Sequence, residues 1–333
     1  MSRRSWLLLG LLSALWGSSY LFIKVALDDD VSPTAIVCIR TALAALVLLP
    51  VAARSGALGG LRRNLGPMLV LAVTQMGGPL LLIAAGEREI ASSLTGILVA
   101  TAPIFTFLLA FALEGEERAS GLSLAGVVIG IAGVTMLLGL DAGGGVDALV
   151  GGLMVVLASF GYGVSAWFVK RRVHGVEPVA MVGATAATVA VAMLPFALIS
   201  APSHVPGVAA LSSLAALGFL CTGLAFVIFY SLVRSDGPAR ASLVGYIAPG
   251  FSIVYGVTLL DESFTGATLA GLILILGGSW LAAEGRPPWV PRSAAGGELA
   301  TGGVDVAPAR EAHRGADAAV LEGGAEGGDR VAA

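Results

Sequence analysis

Five ionisable side chains in apolar surroundings set the chemical question. Lys24 and Arg40 are the only cations inside the long apolar runs of the chain, and Asp28, Glu87 and Glu89 stand in short breaks beside them. An ionisable group within a bilayer-length apolar run is costly and commonly functional. At the rise of a helix, Arg40 lies about 10 Å into its run, while Lys24 lies near the end of its own. These five residues are expected to cluster at one end of a bundle. Lys24, Asp28 and Glu87 would serve there as a gate or ion pair, and Arg40 as an anchor for a substrate carboxylate. The plainer readings are that Lys24 snorkels to the interface and that Arg40 satisfies helix-end carbonyls.

Aromatic side chains with small polar neighbours supply the second constellation. Ser13, Gly17, Tyr20 and Lys24 share one helix face, with Trp16 beside it. Ser159, Tyr162, Gly163 and Lys170 repeat the arrangement, with Trp167 close by. Such a lining suits a cavity for a partly apolar solute; an interfacial aromatic belt with close helix packing is the alternative. Gln75 precedes Gly77-Gly78-Pro79, a break that frees backbone carbonyls, and Tyr246 shares a face with Ser242 and Pro249. The candidate substrate-binding residues are Trp16, Tyr20, Arg40, Gln75, Tyr162, Trp167 and Tyr246. Pro79, Pro103 and Pro249 are candidate hinges. Gly126 and Gly130 form a GxxxG pair, which favours close helix packing ahead of a homodimer.

Other chemistry is missing. No Asp or Glu stands in the middle of an apolar run, so the usual carboxylate for proton coupling is lacking and facilitated transport stays open. His174, His204 and His313 all fall in connectors or the C-terminal segment. No HExxH helix, phosphate loop or paired carboxylates occur, so no metal, cofactor or enzymatic activity is expected. Cys38 and Cys221 lie in apolar runs as inert thiols.

The elements that must position these residues are membrane helices. The chain of 333 residues is 56% hydrophobic, 12% charged and has a mean hydropathy of +0.90. Soluble domains carry about 25% charged residues, so a cytosolic enzyme and a nucleic-acid binder are excluded and the lipid bilayer is the expected surrounding. Ten apolar stretches are long enough to span a bilayer: about 6–27, 35–53, 65–86, 90–113, 122–140, 149–169, 179–199, 211–233, 243–260 and 266–284. With a cytoplasmic N-terminus, 13 cations fall in inside segments and only Arg88 in an outside loop. Both termini are therefore expected inside. Residues 285–333 hold 12 of the 41 charged residues and ten glycines, which predicts a disordered cytoplasmic tail.

The chain also matches itself. At an offset of 146, Ser13, Gly17, Ser19, Phe22 and Lys24 meet Ser159, Gly163, Ser165, Phe168 and Lys170. At 145, Val31 and Pro33 meet Val176 and Pro178, and Glu117, Gly126 and Gly133 meet Glu262, Gly271 and Gly278. Two repeats of five spans follow, 1–143 and 147–284. Because five is odd, the second is inverted, a device of alternating-access carriers.

These residues resemble the EamA-type transporters of the drug/metabolite transporter superfamily. The resemblance is carried by Trp16-Gly17-Ser18, by Arg40 and the Thr-Ala-Leu-Ala-Ala after it, by Pro103 and Pro249, and by the spacings Glu117–Gly126 and Glu262–Gly271. It covers residues 1–284. It implies an all-α, ten-helix bundle in a bacterial cytoplasmic membrane that moves small organic solutes, often outward. The expected substrate is a small-molecule metabolite such as an amino acid or a similar amphiphile, within a cavity lined by spans one, three, four, six, eight and nine. A multidrug efflux carrier is the alternative within the class; an intramembrane enzyme, a channel or a scaffold lies outside it.

Overall fold

A computed structural model describes residues 1–114, 121–141, 145–173 and 175–284. Glu117, His174 and the expected tail at 285–333 lie outside the described residues. Within them every regular element is helical. Ten apolar helical passages follow one another: α1 (Arg3–Leu27), α2 (Pro33–Arg54), α3 (Leu65–Gly86), α4 (Ser92–Leu113), α5 (Gly121–Gly139), α6 (Val146–Arg172), α7 (Pro178–Ile199), α8 (Val208–Asp236), α9 (Val244–Leu259) and α10 (Gly266–Glu284). Nine are long and apolar enough to cross a bilayer, and α9 is shorter at 16 residues. Their starts follow local rules. Ser2 and Ser32 cap α1 and α2 through their side chains, and proline opens α2 and α7, where its missing N–H costs nothing.

The bundle is held by paired helices. Helix α2 packs along α7, α5 along α10, α4 against α9, α3 against α6, and α1 against α8 and α9. Between α2 and α7 the core is Val37, Ala44 and Leu48 against Val182, Ala186 and Val189. Between α5 and α10 the helices touch backbone to backbone. A Cβ on Gly126 would lie 2.7 Å from the Gly278 carbonyl, and one on Gly278 would lie 2.5 Å from the Gly130 nitrogen. The GxxxG pair is thus spent inside the chain. The opposite faces of the helices leave Leu46, Val73, Val128, Val191 and Ile273 exposed, a surface suited to hydrocarbon rather than water.

Two helices contain long π turns. The turn is at Ala72–Gly77 in α3 and at Ala216–Leu224 in α8. The buried side chains explain them. In α8, Ala210, Leu214, Gly218 and Thr222 are buried at steps of four. A helix of 3.6 residues per turn would rotate such a stripe out of the core by about 40° per step; a π turn holds it in place.

Candidate transport site

Six of the side chains singled out above meet at the end of the bundle where α1 stops and α2 starts. Lys24 pairs with Asp28 one helical turn on, at 3.7 Å. Its Nζ also donates to the Glu87 carbonyl at 3.2 Å, which ties α1 to the end of α3. Tyr20 and Tyr162 face each other from α1 and α6, both within electrostatic range of Arg40, and Tyr20 also within range of Glu87. Beneath lies a core of Ile23, Ala26, Ile36, Ile83, Ala158, Leu214 and Leu217.

Arg40 is 7% exposed. Its Nε donates to Thr222 Oγ1 at 2.7 Å and its Nη2 to Ser19 Oγ at 2.9 Å. The π turn sets this geometry: the Thr222 hydroxyl donates back to the Leu217 carbonyl five residues earlier, which leaves its lone pairs for the guanidinium. Among the described residues no carboxylate forms an ion pair with Arg40. Two neutral hydroxyls hold the cation, and its charge is uncompensated at contact distance. Helix-end carbonyls are not its partners.

Glu87 is fully buried, and neither carboxylate oxygen has a hydrogen-bond partner. Burial pushes its carboxyl well above the usual range; Lys24 and Arg40 oppose the shift and Glu262 adds to it. Glu262 itself, from the α9–α10 connection, accepts from the Ser92 and Ser93 amides at 2.7 and 2.9 Å. Helix α4 has no side-chain cap of its own, so a carboxylate from the other half of the chain caps it. At the same end Asp29 accepts from the Gly207 amide at 2.6 Å and faces His204 at 3.4 Å. These two contacts hold its carboxyl below the ordinary range.

The opposite end is open. A crevice of about 590 Å³ is lined by Leu48, Val51, Val182, Phe226, Tyr230 and Arg234, among others, and so lies between α2, α7 and α8. An exposed ion pair, Arg234 to Glu177 at 2.8 Å, stands at its mouth. Trp16 packs on Phe226 and Phe229, with ring centroids 5.8 and 5.4 Å away, and Tyr230 continues the layer. Gln75 adjoins the Tyr230 hydroxyl and keeps a buried, unpartnered Oε1.

Of the six spans expected to line the cavity, only α8 lines this crevice. The reason is close packing at two glycines. A Cβ on Gly17 would lie 2.6 Å from Phe251 Cβ, and one on Gly163 would lie 2.9 Å from Phe105 Cβ. These contacts close α1 on α9 and α6 on α4.

The remaining candidates divide. Tyr246 joins α9 to α10, through Ser279 and an edge contact with Trp280, away from Arg40. Trp167 lies further along α6 with its indole N–H buried and unpartnered. Pro103 breaks α4, whose helix stops at Val99 and restarts at Ala102. The freed carbonyls are taken up by Ser159, which donates to Val99 at 3.5 Å, and by Ser279, which donates to Ala100 at 2.7 Å. Pro249 leaves α9 continuous, and Pro79 opens the part of α3 beyond its π turn. Thr222, Phe226 and Tyr230 were not singled out in the sequence, and Ser19 entered only through its self-match with Ser165.

Comparison with known proteins places this arrangement. The chain is 26% identical over 279 residues to the inner membrane transporter YedA of Escherichia coli K12, covering 80% of this chain and 89% of that protein. It is 24% identical over 292 residues to an E. coli K12 protein named "Probable amino-acid metabolite efflux pump", covering 84% and 95%. It is 28% identical over 286 residues to a "Probable terminal-alkyne amino-acid exporter" of Streptantibioticus cattleyicolor, covering 84% and 93%. A solved crystal structure shares the fold at a TM-score of 0.59 and 23% identity, covering 84% of this chain and 97% of that one. Matching along residues 4–139 and 149–283, this multi-pass membrane protein belongs to the EamA-like transporter family of the drug/metabolite transporter superfamily, and is a transporter and not an enzyme.

Proposed function

We propose that the protein exports small zwitterionic or amphiphilic metabolites, amino acids foremost, across a bacterial cytoplasmic membrane. The two halves, 1–143 and 147–284, would be inverted repeats that alternate access, with both termini and the crevice on the cytoplasmic side. The observation that carries the reading is Arg40. It is a buried cation held by one hydroxyl from each half, Ser19 and Thr222, with no ion-paired acid among the described residues. A substrate carboxylate supplies the missing counter-charge through a two-pronged contact. Tyr20 and Tyr162 flank it, and the aromatic layer around Trp16 offers a surface for an apolar body.

Two further observations support the halves as working units. The helix pairs map onto themselves when each span is exchanged for the one five later: α2 with α7, α5 with α10, α3–α6 with α8–α1. The Gly17–Phe251 contact becomes Gly163–Phe105 under the same exchange. The names of two relatives point to amino-acid export. A multidrug carrier is the second reading, favoured by the aromatic lining of the crevice.

The test is counterflow in proteoliposomes with labelled amino acids, nucleosides and sugars, with and without a pH gradient. Saturable exchange of amino acids that is lost in Arg40→Ala supports the reading. Exchange that ignores Arg40, or that prefers unrelated aromatic cations, overturns it.

A further inference from the structure

A wholly buried carboxyl group with no donor on either oxygen is a rare arrangement. Ionised, it would carry a bare charge in an apolar setting, which costs several kcal/mol. Glu87 is in that position. Every group able to compensate it is otherwise engaged. From α1, Lys24 donates to the backbone carbonyl of Glu87 and pairs with Asp28, and Tyr20 faces the site. From α2, Arg40 spends its Nε and Nη2 on Thr222 and Ser19. From α6, Tyr162 packs against the same core as Tyr20. From the α9–α10 connection, Glu262 is a like charge that already binds the Ser92 and Ser93 amides. The neighbours Arg88 and Glu89 are exposed.

We propose that Glu87 is a proton-binding site that latches the Lys24 end of the bundle, protonated while that end is shut and ionised when it opens. The ligand is the proton. The site takes its alternating opening from the transport reading above. The sign follows from linkage. In the shut state burial without a donor raises the carboxyl's hold on its proton; hydrated in the open state, it returns to the ordinary glutamate range. Opening therefore releases one proton, so acid keeps this end shut and alkali favours opening. The sequence offered no carboxylate in the middle of a span for proton coupling. Burial gives one at the end of a span the same sensitivity.

The experiment reads accessibility and needs no substrate. In a background of Cys38→Ala and Cys221→Ala, a reporter is placed at Ser92→Cys, a position 1% exposed beside Glu262. Protein in nanodiscs is labelled with a charged maleimide from pH 5 to 8. Rates are divided by those of Ser203→Cys, which sits in an exposed connector at the same end, so that thiol ionisation cancels. The relative rate should rise with pH, approaching about tenfold per unit while the shut state predominates. Glu87→Gln, which mimics the protonated form, should be flat and slow; Glu87→Asp should keep a displaced rise. An equal rise in Glu87→Gln overturns the proposal, as does a flat wild type. Should Glu87→Gln fail to fold, infrared spectra of the wild type decide instead: a carboxylic-acid carbonyl band at pH 7 that shifts in Glu87→Asp supports the site, and no such band overturns it. Absence of solute exchange with intact pH-dependent labelling would sink the exporter reading alone. Amino-acid exchange with pH-independent labelling would sink this one alone.

Discussion

The two ends of the bundle handle charge in opposite ways. At the Lys24 end, Arg40 and Glu87 are buried, and connectors from different halves clasp each other through Glu262 and Asp29. At the Arg54 end, Arg54, Arg63, Arg171, Arg172 and Arg234 are exposed, and the Arg234–Glu177 pair stands over an open crevice. The second end has more cations, yet its charges are solvated and individually weak. The first has few, and burial raises what each does. Counting charges locates the loops; only burial tells which of them are withdrawn from solvent.

Substitutions at the two ends should separate accordingly. Arg40→Ala should lower substrate exchange by at least about thirtyfold, since truncating one side of a buried charge contact costs about 2–5 kcal/mol. Arg40→Lys should restore little of it, because an ammonium cannot reproduce the fork. Near-normal exchange in Arg40→Ala would erase the contrast between the ends. Next, Glu262→Ala leaves two amides at the start of α4 without acceptors and should destabilise the protein by about 1–3 kcal/mol, read as a lower melting temperature in detergent. Behind the crevice, where Trp16 packs on its lining residue Phe226, Trp16→Ala should raise the apparent KM about tenfold through lost aromatic contact, with little change in maximal rate.

Arg234→Gln should alter exchange less than about threefold and should matter less as salt rises. The smallest effect belongs to Asp29. Its carboxyl is held below the ordinary range by the Gly207 amide and His204. The contact therefore persists through neutral pH and is lost only as pH falls through that lowered value. The protection of the Gly207 amide, read as its exchange rate against that of an unstructured amide at the same pH, should fall in acid in the wild type. That protection should be low at all pH values in Asp29→Asn.

Much of this was legible in the sequence because hydrophobicity and charge are local properties. The apolar stretches coincide with the ten helical passages to within a few residues, and the Lys24–Asp28 spacing foretold their contact. Arg40, Lys24 and Glu87 were legible as candidates because cations and acids stand out against apolar runs. Their partners were not. Ser19 and Thr222 are ordinary small polar residues until the fold sets both beside Arg40. Glu262 stood out for its spacing to Gly271, and its reach across to α4 depends on how the halves meet. Pro103 and Pro249 look equivalent in sequence, yet only Pro103 breaks its helix. Ser159 and Ser279 satisfy the carbonyls that the break frees, and no local pattern encodes a hydroxyl supplied from another helix.

The π turn in α8 is a dislocation, in the crystallographer's sense. One surplus residue sits in an otherwise regular lattice, and everything beyond it is rotated by about 100° relative to an uninterrupted helix. Deleting one residue from Ala216–Leu224, such as the exposed Phe219, would heal the defect at the expense of the register. The segment on one side would swing, and the Thr222 hydroxyl would no longer point at Arg40. The hydrogen bond from Arg40 to this helix is thus stored as a count of residues, and a frame-preserving deletion of one exposed side chain would erase it.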